Sequence, residues 1–241
     1  GVPDTALRCN NGPMPQTAPS HQDVWLVVPL YNEGEVIADV LKSARKTFPN
    51  IVCVDDGSAD DSAAEARRAG AVVVQHPFNL GQGAALQTGI DYVLKYTDGQ
   101  YIVTFDADGQ HGIDDAEAMV ARAKEEDLAI IFGSRFLDGE TKVGWSKRAV
   151  LKTAAAVTRW RTGLDLTDAH NGLRVLRRDA AEGIRMRQDG MAHASEIVTQ
   201  AADTKLPWAE HPVRIAYTDY SKAKGQSLLN SVNILVDLVM R

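Results

Sequence analysis

Residues 104–111 read TFDADGQH and follow the apolar run Tyr101-Ile102-Val103. They place Asp106 and Asp108 two positions apart. In an extended segment such side chains point the same way, and two neighbouring carboxylates repel unless a cation or protons share them. Gln110 adds a side-chain oxygen, while His111 either helps to hold the site or caps the helix that follows. Other polar clusters accompany this one. Tyr31 and Glu33 follow Pro29, Asp55 and Asp56 open the run Asp55-Asp56-Gly57-Ser58, and Arg135 closes Gly133-Ser134-Arg135. A carboxylate accepts hydrogen bonds from N–H and O–H groups, and a guanidinium suits bidentate binding of an oxyanion. Asn79-Leu80-Gly81-Gln82-Gly83 is a glycine-rich lead into a helix, where the backbone at Gly81 can approach a ligand closely, although it is neither a GxGxxG nor a Walker pattern. Taken singly, each cluster is also explained by a turn and a helix cap.

These clusters need elements that bring them together. Residues 24–30, 51–54, 71–75, 101–105 and 128–132 read as strands. Helical spacing runs over 35–46, 83–96 and 113–126, and a further helix starts at Ser58 or Asp60, continues through Arg68 and stops at Gly70. Strand and helix alternate at short intervals, which predicts an α/β fold with a mostly parallel central sheet flanked by helices. Sites on such sheets lie beyond the carboxyl ends of the strands. The polar clusters fall at the ends of strands one, two, four and five, and so many polar ends on one rim are hard to explain by folding alone. Past Gly144 the alternation weakens. Residues 145–161 read as a helix carrying Lys147, Arg148 and Lys152, 165–176 as a loop entering a short strand, 191–203 as a helix and 207–216 as extended chain. Residues 228–241 read as an amphipathic C-terminal helix.

The chain has 241 residues, 44% of them hydrophobic and 24% charged, which suits one large domain with a sizeable core. A net charge of −6 argues against a nucleic-acid binder and leaves room for local basic sites that take phosphate. Cys53 lies in an apolar run and reads as a core thiol. Two cysteines make neither a disulfide framework nor a zinc site, and a reducing, cytoplasmic compartment fits. Residues 1–22 hold four of the nine prolines and are expected to form a disordered arm. No apolar run approaches the ~20 residues that span a bilayer. The terminal helix either packs on the domain or lies on a membrane, with Lys222 and Lys224 near anionic headgroups.

In chain order, VVPLYNEGEVI, VDDGSADDS, NLGQGAALQTGI, FDADGQH and GSRF resemble inverting family 2 glycosyltransferases with the GT-A fold. DAHNGLRVLRRD and KAKGQS resemble the dolichyl- or polyprenyl-phosphate sugar synthases within that family. The resemblance implies a GT-A nucleotide-diphospho-sugar transferase domain over residues 23–227, a UDP- or GDP-linked sugar donor, and Mg2+ or Mn2+ as cofactor. Asp106 and Asp108 match the family's metal motif, with Gln110 as third ligand and Ala107 between them at the donor. A hard cation takes carboxylate and diphosphate oxygens together and neutralises the leaving nucleoside diphosphate. Pro29, Tyr31, Glu33, Asp55 and Asp56 resemble base and ribose contacts, Gly81 lies at the nucleotide, and Arg135 resembles the arginine that meets the donor phosphate. Asp108, Arg135 and Glu196 are the expected catalytic residues.

A hydroxyl acceptor needs a general base, whereas a lipid phosphate is already anionic and needs cationic positioning. The synthases carry an Arg-x-x-Gly-x-Ser-like pattern for that phosphate. Here Lys222-Ala223-Lys224-Gly225-Gln226-Ser227 stands in its place, keeping the charge and losing the bidentate fork. Arg148, Arg174, Lys222, Lys224 and Ser227 are the expected acceptor contacts. The preferred acceptor is a polyprenyl (dolichyl or undecaprenyl) phosphate, met by a protein peripheral on the inner face of the membrane. Glu196 and Asp168 stay open as structural carboxylates or as a base. If either reaches a sugar hydroxyl, the acceptor becomes a hydroxyl of a surface glycan. Two further readings stand beside these. PLYNEGE is not the glycine- and arginine-rich loop expected of a nucleotidyltransferase, and the intact Asp106/Asp108 pair weighs against a non-catalytic sugar-nucleotide-binding protein.

Overall fold

Residues 24–30, VWLVVPL, are apolar at every position, as fits a strand buried on both faces. In the computed structural model, which describes residues 21–137, 164–186 and 192–216, this run is strand β1 (Val24–Leu30) inside the sheet. Parallel partners flank it, β2 (Asn50–Asp55) on one side and β4 (Tyr101–Thr104) on the other. β3 (Val72–Gln75) pairs with β2 in parallel. Across the sheet, β6 (Arg174–Arg177) runs antiparallel between β4 and β5 (Ile130–Ser134), and β7 (Trp208–Pro212) pairs in parallel with β5. The order among the described residues is β3-β2-β1-β4-β6-β5-β7. Every one of these strands but β6 points its carboxyl end to the same rim.

Helices α1 (Ile37–Ala44), α2 (Ser62–Arg68) and α4 (Ile113–Glu125) cover one face of the sheet, and α3 (Gln82–Tyr96), α5 (Arg178–Gly183) and α6 (Ala192–Thr204) the other. Alternation along β1 feeds both layers. Val24, Leu26, Val28 and Leu30 pack with Leu41 and Met119, while Val27 packs with Ile90 and Val198. Each such burial stabilises the fold by about 1.5–3 kcal/mol, so the two layers hold the rim in shape. α3 comes closest to the sheet. A Cβ on Gly89 would strike Val27 Cγ1, so only glycine permits this approach. The contact fixes where the amino end of α3, at Gly81 and Gln82, meets the rim.

Some boundaries differ from those expected. Gly133 and Ser134, read as part of the polar end beyond the strand over 128–132, extend β5 because they pair with His211 and Pro212 of β7. α5 is six residues long, too short for a helical period to mark it. His21, expected within the disordered arm, belongs to the fold: its ring packs on Phe48 and lies 3.2 Å from Glu117 Oε1. Cys53 is a core residue, and burial pushes its thiol up to about 12. Residues 1–20 of the arm, the helix over 145–161 and the helix over 228–241 lie outside the described residues.

Candidate active site

Beyond β4 the chain alternates between core and rim. Phe105 and Ala107 are buried in the core, and Asp106 and Asp108 are partly exposed. Ala107, expected at the donor, packs its side chain into the core. Gly109 turns the chain with φ 73°, and Gln110 N donates to Asp108 Oδ1 at 3.0 Å. Asp106 is held from several directions. Its backbone N donates to His111 Nδ1 at 3.2 Å, and Gln82 Nε2 donates to its Oδ1 at 3.2 Å. His111 Nε2 lies 3.4 Å from its Oδ2. Because Nδ1 accepts, the proton of the neutral ring sits on Nε2, facing that carboxylate. Gly172 lies so close that a Cβ there would be 2.5 Å from Asp106 Oδ2.

Burial, and after it the charges of Asp106 and Glu33, raise the Asp108 carboxyl above its ordinary range. Among the described residues, no group of three or more His, Cys, Asp or Glu side chains forms a ready cage. Two carboxylates with the remaining positions left to phosphate and water is a usual way to hold Mg2+. The residues fit the expected metal, with Gln110 beside them.

The loops after β1 and β2 are zipped together. Asn32 N donates to Ser58 Oγ (2.9 Å), Glu33 N to Ser62 Oγ (2.8 Å) and Gly34 N to Asp60 Oδ2 (3.0 Å). Ala59 N donates back to Asn32 Oδ1 at 2.9 Å. This brace presents Tyr31, 48% exposed, while Pro29 stays buried in β1. Asp55 and Asp56 were expected to meet the nucleotide, yet both are buried and turned to the protein. Asp55 accepts from Ser58 N (3.3 Å) and Gln75 Nε2 (3.0 Å). Asp56 accepts from Leu80 N and Gly81 N (2.8 Å each) and from His76 Nδ1 (2.7 Å). Backbone amides of the 79–81 loop need acceptors once buried, and Asp56 supplies them. Its part is to shape that loop, whose Gly81 has φ 94°.

At the end of β5, Arg135 is bound by Asp168. Arg135 Nε donates to Asp168 Oδ2 (2.6 Å) and Nη2 to Oδ1 (2.9 Å). Asp168, one of the two candidate bases, thus has both oxygens engaged. Glu210 of β7 accepts from Thr167 N (2.7 Å) and Asp168 N (3.2 Å). Arg174, expected at the acceptor, is 1% exposed. It sits inside the sheet because its register partners are Thr104 of β4 and Phe132 of β5. Its Nη2 donates to Ala169 O at 3.3 Å, and Nε and Nη1 have no hydrogen-bond partner among the described residues. Burial lowers its pKa to about 10, against the pull of Asp106 and Asp168. It is a buried cation behind the carboxylates, not a surface contact.

Glu196, the other candidate base, lies on α6. It accepts from Gln200 Nε2 at 3.2 Å and lines a cavity of about 500 Å³ with Arg185, Gln200 and Asp203. None of the residues 104–111 lines that cavity. Arg148, Lys222, Lys224 and Ser227 lie outside the described residues. The chain heads for the last three from beside the metal motif: Ile215 bridges His111, and Ala216 N donates to Gln110 O at 2.9 Å. Reasoning from sequence missed Gln82, Gly172 and Glu210. The first two stand in motifs already singled out, NLGQG and HNGLR, whereas Glu210 carries no local signal.

Residues 25–185 match the model of the family described as Glycosyl transferase family 2. An uncharacterised protein of Methanocaldococcus jannaschii is 35% identical over 91% of this chain and 92% of its own length. The polyprenol monophosphomannose synthase of Mycolicibacterium smegmatis is 32% identical over 92% of this chain and 87% of its own. The UDP-N-acetylglucosamine–dolichyl-phosphate N-acetylglucosaminyltransferase of Methanococcus voltae is 26% identical, with 90% and 95% covered. Among solved structures, glucosyl-3-phosphoglycerate synthase of Mycobacterium tuberculosis, in complex with Mn2+, UDP and glucosyl-3-phosphoglycerate, superposes with a TM-score of 0.65. It covers 90% of this chain and 77% of that one at 17% identity, a likeness of fold.

Proposed function

The chain belongs to glycosyl transferase family 2 and is a glycosyltransferase of the GT-A fold, and from that premise we propose that it moves a sugar from a UDP- or GDP-linked donor to a polyprenyl phosphate. The observation that carries the choice of acceptor is the Arg135–Asp168 pair, at 2.6 and 2.9 Å. With both oxygens of Asp168 taken by Arg135 and Glu196 on a cavity that no residue of 104–111 lines, neither candidate base favours a hydroxyl acceptor. A phosphate needs no base. Relatives named for dolichyl phosphate and polyprenol support the same class.

Asp106 and Asp108 would hold Mg2+ or Mn2+ at the donor diphosphate. Bound there, the cation supplies charge neutralisation for the leaving nucleoside diphosphate. Gln82 and His111 keep Asp106 aimed at the rim. Tyr31 and Glu33 meet the nucleoside, and Arg135 meets a phosphate oxygen. The acceptor phosphate oxygen attacks C1 from the face opposite the diphosphate. One C–O bond forms as the other breaks, the electron pair leaves with the nucleoside diphosphate, and the anomeric centre inverts without proton transfer. Lys222, Lys224 and Ser227 position that phosphate. Among the described residues no helix is long and apolar enough to cross a membrane, and a lipid-borne acceptor calls for peripheral contact on its inner face.

The test is a transfer assay with Mn2+ or Mg2+, labelled UDP- and GDP-sugars and a polyprenyl phosphate, followed by solvent extraction. Label in the organic phase that disappears in Asp108→Ala is the expected result. Donor hydrolysis without lipid label would move the acceptor to a hydroxyl.

A further inference from the structure

We infer that Glu210 is a positioning residue that aims Arg135 at the donor diphosphate, acting through Thr167 and Asp168. The inference rests on the donor reading above. An arginine at a strand end has many rotamers, and binding one phosphate demands few of them. Here the rotamer is selected by Asp168, which takes Arg135 Nε and Nη2 at 2.6 and 2.9 Å and also the Arg135 backbone N at 3.2 Å. Asp168 is 5% exposed, but it lies in a connection outside helix and strand. Its aim is only as good as whatever fixes that backbone.

Glu210 does the fixing. Oε1 accepts from Thr167 N at 2.7 Å and from Asp168 N at 3.2 Å, and the Thr167 hydroxyl lies 3.0 and 3.1 Å from Oε1 and Oε2. The same hydroxyl is 2.6 Å from Ser134 Oγ, on the residue that precedes Arg135. A closed ring therefore runs Ser134, Arg135, Asp168, Thr167 and back to Ser134, with Glu210 across it. Glu210 is itself anchored, paired with Phe132 in the β5–β7 ladder and accepting at its backbone O from Arg122 Nη1 of α4 at 2.7 Å. Rigid strands thus set the geometry of a loop aspartate, and that aspartate sets the arginine, an arrangement that preorganises a binding group. Burial raises the Glu210 carboxyl, which the bonds from Thr167 and Asp168 oppose.

Glutamine at 210 can keep the ring closed. Its carbonyl replaces Oε1, and its amide can donate to Thr167 Oγ, whose proton then turns to Ser134. Alanine cannot. The 241-residue chain is titrated with UDP and with GDP in the presence of Mn2+. Glu210→Ala is expected to weaken the nucleoside diphosphate that binds by about tenfold, the scale on which supporting partners act, and Glu210→Gln to stay within about threefold of the parent. In an Arg135→Ala background, Glu210→Ala is expected to add nothing, because the group it aims is gone. An undiminished tenfold loss in that background would make Glu210 a general support of the fold and overturn the inference. If Arg135→Ala alone leaves affinity unchanged, the inference falls together with the role of Arg135. If the parent chain binds neither diphosphate, the donor reading falls first. Should Glu210→Ala not fold, Thr167→Val enters the same cycle. A smaller loss that vanishes without Arg135 supports the inference, and an additive loss overturns it.

Discussion

At Asp108 binding and stability pull in opposite directions. Burial and the neighbouring Asp106 and Glu33 make its charge unfavourable in the free protein, and the same crowding is what a divalent cation relieves. Asp108→Asn keeps an oxygen for Gln110 N and removes one charge. It is expected to raise the stability of the metal-free chain by up to about 1 kcal/mol and to abolish stabilisation by Mn2+ with a nucleoside diphosphate. Urea midpoints and melting curves read the two effects separately, and a destabilised variant that still responds to Mn2+ would make Asp108 a turn residue. Arg174 poses the reverse problem. Its DAHNGLR context reads as a loop, so a surface cation was the natural expectation, and only pairing with Thr104 and Phe132 buries it. Arg174→Met removes a buried charge that forms no ion pair among the described residues, and Asp168 stays paired with Arg135, so the substitution is expected to be neutral or to stabilise the fold by about 1 kcal/mol or more, measured by urea unfolding. Glu210 has a pH signature. Its folded pKa lies above the unfolded one, so the native state holds the extra proton and stability falls as pH rises through the window between them. The advantage of Glu210→Gln over the parent should therefore grow from the ordinary glutamate range upward and level off above the folded pKa.

Among the elements, α3 depends on a single missing side chain. With Val27 Cγ1 in the place a Gly89 Cβ would occupy, Gly89→Val must lift the helix off β1. Overpacking of this kind costs about 1–3 kcal/mol. The lift also moves Gln82, which donates to Asp106 Oδ1, so the variant should lose both urea resistance and Mn2+-dependent nucleotide binding. Full retention of both would mean that the layer yields elsewhere. The elements through β4 were legible because each carries its own period and its own stop, as at Gly70 after α2 and in the alternation of β1. In the second half the helix over 191–203, the extended 207–216 and the short strand after the 165–176 loop are found as α6, β7 and β6, but the order of the strands in the sheet was not legible. β6 owes its place to partners distant in sequence, since Arg177 meets Tyr101 and Leu176 meets both Ile102 and Ile130. No local pattern encodes an antiparallel strand inserted between parallel ones. The site divides in the same way. Asp106, Asp108 and Arg135 sit at strand ends that periodicity locates, whereas the space beside Asp106 comes from Gly172, and the hold on Arg135 from Asp168 and Glu210, distant in sequence.

The molecule as a whole meets its donor with an unfavourable field. The chain carries a net charge of −6, and Glu33 and Asp106 both act on Asp108, so the rim is anionic where a diphosphate must sit. Among the described residues, Arg135 is already paired to Asp168 and Arg174 is buried behind the carboxylates, and neither presents a cation at the rim to reverse that field. Nucleoside diphosphate binding should therefore depend almost wholly on the cation. With Mn2+ present and the nucleotide at a hundred times its Kd, linkage gives about 2.7 kcal/mol of stabilisation. For a chain of this size that corresponds to a rise in Tm of about 5–10 °C. Chelation by EDTA should remove the rise, because the carboxylates then face the phosphates directly. High salt should not restore it, since screening weakens repulsion between the charges without supplying the bridge that joins them. An equal rise in EDTA would place the nucleotide somewhere other than this rim, and the pairing of Asp106 with Asp108 would then need another cause.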